Sequence, residues 1–397
     1  MIKRIIAVIL LLTFSAILLT GCWDRKELNQ LGIAMAIGLD KTEEGRIELT
    51  SEIVRPSAMG KQGGGNEPPY ELVVSSGDTI FEAIRHTVKE FDRRSFFSHV
   101  KVIVIGEDLA REGLEETMDF ITRSHELRKT TWLTVASGCK ASDILGVKHG
   151  LEKIQANYMD GILKSQKIDS SSAVGKVIDF IKTMPGEGIN PVTGVFKIID
   201  VKSVPSQGTE PTESKGLKLT GSALFVKDKL SGFLDTFETL GLNIITGKCK
   251  RVTIDVQTSP NDKIAIELKR IRCDIVPIIS KGKVSFRIVV KAEGSLTEAK
   301  DGMDITDQQV FKKINNAFAD HIRASTNNSL TKIQKEMKTD VLGLGRALEM
   351  KYPKYWNKVK PQWNEIFPDV SFNVDVGTHL NRTGLSQKQL NVKKTGK

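Results

Sequence analysis

Cysteine is scarce. Four in 397 residues are too few for a disulfide scaffold or a multi-cysteine zinc array. Histidine is scarce too: no two of His86, His99, His125, His149, His321 and His379 lie three to five residues apart, which removes HExxH-type metal helices. After residue 22 no run of 18 consecutive apolar residues occurs, so hydropathy offers no spanning helix there. A Gly-x-Ser-x-Gly elbow, a P-loop and a dinucleotide fingerprint are all missing. Hydrophobic residues make up 40% of the chain, with 33 Gly and 12 Pro, and that composition is too ordinary for wholesale disorder or low complexity.

What is present begins at the N-terminus. Met1–Arg4 is basic, and Ile5–Leu19 is an apolar run shorter than the ~20 residues of a membrane-spanning helix, so residues 1–21 read as a secretion signal. Leu19–Thr20–Gly21–Cys22 resembles a bacterial lipobox. Cys22 is then expected to carry an S-diacylglyceryl group and an N-acyl group. The competing reading, an ordinary signal that stops near a cysteine, is weaker because all three signal regions agree. At about 0.8 kcal/mol per buried CH₂, two acyl chains anchor stably. Losing Lys3 and Arg4 lowers the formal charge from +10 to +8. In an exported protein that excess faces anionic lipid, wall polymer or acidic protein rather than nucleic acid.

The length predicts two or three domains. Residues 22–200 alternate as α/β: a hairpin of Ile33–Asp40 and Ile47–Val54, then a helix capped by Asp78 that buries Phe81, Ile84, Val88 and Phe91. A strand over Val100–Ile105, a helix from Asp108 to about Leu127, a strand over Thr130–Ala136 and two helices within 151–183 follow. Residues 201–215 read as a linker and 216–262 as a middle β-rich domain. Residues 263–385 read as a C-terminal α+β domain and 386–397 as a basic tail. In that domain Val310, Ile314, Phe318 and Ile322 define a long helical region, broken at Ser325–Ser329 and resumed by Ile333, Met337, Val341, Leu344 and Leu348. A helix over Trp356–Ile366 and a strand over Val370–Val376 close it. The expected fold is multidomain α+β: a mixed N-terminal sheet with helices, then antiparallel strands and a long helical region packed on a C-terminal sheet.

Candidate chemistry is thin. Ser-x-x-Lys occurs as Ser98/Lys101, Ser137/Lys140, Ser280/Lys283 and Ser329/Lys332. The first three fall at strands, where the helical geometry of that motif fails, and Ser329 lacks a Ser-Asp-Asn partner. Asp301, Asp304 and Asp307 suit helix capping better than calcium. If Ser259–Asp262 is a tight turn, Cys249 and Cys273 face each other, and a bridge competes there with buried free thiols. The cation–aromatic run Lys351–Trp363 suits either headgroup or glycan binding or a core helix carrying Trp356 and Trp363, and the core reading is favoured. No catalytic, metal or cofactor-binding residue is assigned.

Gly21–Cys22–Trp23–Asp24–Arg25–Lys26–Glu27–Leu28 with Ile37–Asp40 resembles the mature start of the Ger(x)C family. Asp340–Gly345, Lys351–Trp356, Trp363, Phe367–Pro368 and Arg382–Gly384 resemble that family's C-terminal signature, and Ser222–Leu242 its middle segment. The resemblance implies a non-enzymatic, three-domain α+β lipoprotein, the C subunit of a nutrient germinant receptor. It also implies attachment by its lipid to the outer face of the spore inner membrane, docked on integral membrane A and B subunits. An extracytoplasmic solute-binding lipoprotein that captures a nutrient is the alternative. Such proteins usually have two similar lobes, and this chain's halves do not match.

Overall fold

The computed structural model describes residues 1–2, 4–7, 9, 31–55, 68–148, 150–202, 213–259, 262–299, 305 and 307–381. β1 (Leu31–Lys41) turns through Gly45, at φ 82°, into β2 (Ile47–Val54), and β3 (Tyr70–Gly77) pairs beyond it. α1 (Ile80–Glu90) is capped by Thr79 rather than Asp78: the Thr79 hydroxyl accepts the Glu82 N–H at 3.1 Å. Its buried face carries Ile80, Ala83 and Thr87, so Phe81 and Val88 are left exposed, contrary to the stripe read from spacing. β4 (Arg94–Phe96) and β5 (Val102–Ile105) follow. The single helix expected over 108–127 is two, α2 (Glu107–Glu112) and α3 (Glu115–Arg123), divided at Gly113. Gly113 sits at φ 139°, a conformation that favours glycine.

After β6 (Trp132–Ala136) come α4 (Ala141–Gly146), α5 (Gln155–Asp169), β7 (Gly175–Lys176) and α6 (Val177–Thr183). β8 (Val192–Lys202), β9 (Glu213–Val226) and β10 (Lys229–Leu234) complete a ten-stranded sheet whose main path runs β10-β9-β8-β6-β5-β1-β2-β3, with β4 also paired to β1 and β7 to β6. Its centre, β8-β6-β5-β1, is parallel, and both flanks are antiparallel. Helices cover both faces of that centre: α1, α2, α3 and α6 on one, α4 and α5 on the other. All four residues of β5 are therefore buried, as a parallel strand covered on both sides requires. The segment 201–215 joins hydrogen-bonded neighbours, with Val201 opposite Ser214 and Lys202 opposite Glu213. β9 and β10 thus extend the first sheet.

The second sheet is β11 (Thr253–Val256), β12 (Ile264–Ser280), β13 (Lys283–Ala299) and β14 (Ser371–Asn381), in that order, with β14 parallel to β13. α7 (Thr236–Ile245) and α8 (Gln308–Thr331) pack on it, with Ile314, Phe318 and Ile322 wholly buried. Ser325–Ser329 does not break α8. Ser325 Oγ instead donates to the Phe237 carbonyl at 2.7 Å, and Gly241 of α7 lies so close to the Ser325 backbone that a Cβ there would collide. The helix passes into a π turn over Lys332–Met337 and stops at Lys338, at φ 50°. α9 (Leu344–Lys351), α10 (Pro353–Val359) and α11 (Trp363–Ile366) follow, the last two separated by a 3₁₀ turn carrying Pro361.

Cys139, Cys249 and Cys273 are free thiols. The β12 register sets Cys273 opposite Val290 of β13, and Cys249 precedes β11, so the suggested bridge does not form.

Candidate functional site

The C-terminal signature converges on one buried carboxylate. Asp340 accepts the N–H groups of Gly343 (2.9 Å), Leu344 (3.1 Å) and Gly345 (2.8 Å) and the Trp363 indole N–H (2.9 Å). Burial pushes its pKa up, against the pull of those four donors. The Asp340 carbonyl accepts the Asn190 N–H at 2.7 Å, and the Gly188 carbonyl accepts the Arg346 N–H at 3.1 Å. Asn190 Oδ1 in turn accepts the Lys227 N–H at 2.9 Å. Gly188 and Gly345 meet backbone to backbone under the Trp356 ring. The signature therefore fastens the loop before β8 to the helices above the second sheet. Trp356 is 1% exposed and stands edge-on to Trp363, with ring centroids 5.4 Å apart. Lys351 and Tyr355 donate to the Pro277 and Gly282 carbonyls. The aromatic run is core and joint.

A depression of about 340 Å³ opens at the C-terminal ends of β1, β5 and β6, where open α/β sheets commonly bind ligands. Two of its carboxylates are already engaged. Asp40 accepts the N–H groups of Ala141 (2.8 Å) and Ser142 (3.0 Å) at the start of α4, and Glu107 accepts the Gly138 N–H at 3.0 Å and pairs with Arg111 at 2.6 Å. Burial, helped by nearby carboxylates, pushes the Cys139 thiol up to about 11, so it is not an activated thiolate at neutral pH. Glu52 of β2 is likewise buried, accepts the Ala156 N–H at the start of α5, and is pushed up to about 7 by desolvation.

Ser280 and Lys283 flank the β12–β13 turn, and Lys332, one turn after Ser329, is paired with Glu238 at 2.8 Å. Asp307 caps α8 through the Gln309 N–H (2.6 Å); Asp301 and Asp304 lie outside the described residues. Among the described residues no group of three or more His, Cys, Asp or Glu is placed to hold a metal. Sequence reasoning missed the Asp340 hub, although an Asp three and five residues before Gly343 and Gly345 is a helix-entry pattern. It also missed Asp40 and Glu52, which nothing in strand periodicity marks.

Cys22 and the lipobox lie outside the described residues, and so does Arg382–Gly384. Leu31 opens the described fold beside β4, opposite Arg94. No helix among the described residues is long and apolar enough to cross a membrane.

Comparison with known proteins covers nearly the whole chain. Residues 24–198 match the family described as "Spore germination protein N-terminal domain", and residues 220–384 match "Spore germination B3/GerAC like, C-terminal". Spore germination protein KC of Bacillus subtilis (strain 168) is 31% identical over 96% of both chains. Spore germination protein B3 of the same organism is 29% identical over 91% of this chain and 94% of its own. The crystal structure of the GerBC protein, at 21% identity, superposes with a TM-score of 0.56 over 90% of this chain and 99% of that one, so the fold is shared. With both of its halves matched and a relative aligned almost end to end, the chain belongs to the Ger(x)C, or GerAC-like, family of spore germination proteins.

Proposed function

We propose that this chain is the C subunit of a nutrient germinant receptor, needed to start spore germination. On this reading it is held by the lipid on Cys22 to the outer face of the spore inner membrane and works by docking on integral A and B subunits. The observation that carries the reading is the end-to-end likeness to spore germination proteins. The Leu19–Cys22 lipobox supports the tether. A lipid tether confines the protein to a thin layer, which raises its effective concentration near integral partners. The C-terminal signature around Asp340 is consumed in joining the loop before β8 to the helices above the second sheet, which suits a rigid docking body. A solute-binding protein would close two similar lobes, whereas here the two sheets are unlike, one ten-stranded and mixed and the other four-stranded.

Fractionation of cells expressing Cys22→Ala tests the anchor. The variant is expected as an uncleaved precursor or as protein freed from the membrane. A processed product that still requires detergent for release would refute it. Titration of the mature protein with amino acids and sugars should show no strong binding; tight binding without partners would favour nutrient capture.

A further inference from the structure

Among the described residues, α1 and α3 border an open groove of about 720 Å³ on the ten-stranded sheet's flank. Its floor is recessed and apolar: Phe97 and Leu127 are buried there, and Ile84 and Phe120 are partly buried against the core. Phe81 and Val88, seven residues apart on α1, stand on its lip at 53% and 61% exposure. Two large apolar side chains left this open on one helix face mark a contact surface rather than scatter.

The rest of the lip is basic. Arg85, Arg94 and Arg123 line the groove with one carboxylate, Glu126, and Asp119 pairs with Arg123 from one turn earlier on α3. Glu126 is already engaged, accepting the Phe97 N–H at 3.1 Å and pairing with Arg94 at 3.6 Å. Arg85 lies over the Phe81 ring, 4.7 Å from its centroid. The groove is also placed by the tether. Arg94 pairs with Leu31, and eight residues separate Leu31 from Cys22, so the Leu31–Arg94 edge of the groove stays within a few tens of ångström of Cys22 even at full extension.

We infer that this groove is the docking site for an amphipathic helix of an integral receptor subunit, one that presents an apolar ridge flanked by acidic side chains at the membrane surface. The inference rests on the receptor reading above and names the contact face. A flat bilayer reaches only the lip; a helix ridge, with side chains three and four apart, can fill a recessed floor. Carboxylates beside that ridge would meet Arg85 and draw Arg123 from its exposed pair with Asp119 of α3 (2.9 Å), which steers docking and fixes register.

The test is recovery of the A and B subunits with the full-length lipoprotein from detergent extracts of spore membranes. Wild type is compared with Phe81→Asp/Val88→Asp, with Arg123→Glu, and with Met350→Asp, an exposed control on α9. Both groove variants should stay folded and membrane-bound yet recover at least about tenfold less of the integral subunits, while the control matches wild type. Because Arg123 is an exposed side chain, its reversal keeps the test valid should the double variant misfold. Full recovery with both folded groove variants overturns the docking site and leaves the receptor reading standing. Failure of wild type itself to recover either subunit overturns both. Binding of unlipidated wild type to phosphatidylglycerol vesicles that both groove variants lose would make the occupant a bilayer and overturn the helix.

Discussion

Asp340 is a buried hub of the C-terminal region. Four donors converge on it, and three of them, the Leu344, Gly345 and Trp363 N–H groups, would be buried without a partner if the carboxylate were removed. An unsatisfied buried donor costs about 1–3 kcal/mol. Asp340→Ala should therefore lose at least about 3 kcal/mol in denaturant unfolding; a loss under about 1 kcal/mol would mean the joint relaxes around an empty centre. Glu52 makes a different prediction. Its ordinary value of 4.5 rises to about 7 in the fold because burial outweighs the backbone donors. The folded state thus holds a proton that the unfolded chain releases. Its contribution is fully present below the unfolded value and is lost as pH rises through the folded one, by about 3 kcal/mol in all. Glu52→Gln removes that ionisation. Relative to wild type, the variant should gain about 3 kcal/mol between about pH 4 and about pH 8. Unfolding curves whose separation does not change with pH would contradict it.

At the scale of elements, two helical glycines separate propensity from packing. Gly161 in α5 has open space where a Cβ would point, so Gly161→Ala should stabilise by about 0.5–1 kcal/mol. Gly345 in α9 has the Gly188 backbone and the Trp356 and Trp363 rings there, so Gly345→Ala should cost about 1–3 kcal/mol. Melting of the two variants checks both, and shifts of the same sign would show that the contact at Gly345 is loose. Periodicity read most elements well because it reports burial. The alternating β12 and β13 and the four-residue repeat of α8 are set by the core they face. It failed where a side chain answers to something else. Phe81 and Val88 have the spacing of a buried stripe, yet α1 turns Ile80, Ala83 and Thr87 inward, and the stripe lines a groove instead. Ser325 and Ser329 look like helix breakers, but small residues are what α7 needs to approach α8 closely.

For the whole molecule, the combination of a mixed sheet with a parallel centre and a second, smaller sheet was legible from the order of apolar runs. Which sheet β9 and β10 join was not. The polar composition of 201–215 reads as a linker, and composition does not show that the strands on either side of it pair, as Val201 does with Ser214. The Asp340 joint was hidden for a similar reason: its partners at 188–190 lie some 150 residues upstream, as about the length of a domain. The receptor account holds that tethering serves docking, so loss of the lipid should cost function more than it costs the fold. The most direct measurement is nutrient-triggered germination of spores carrying wild type or Cys22→Ala, with the amount and folded state of each protein followed in the same spores. The account predicts that Cys22→Ala spores germinate poorly although the soluble protein, where present, melts as wild type does. Full germination from abundant, folded protein that is free of the membrane would contradict it.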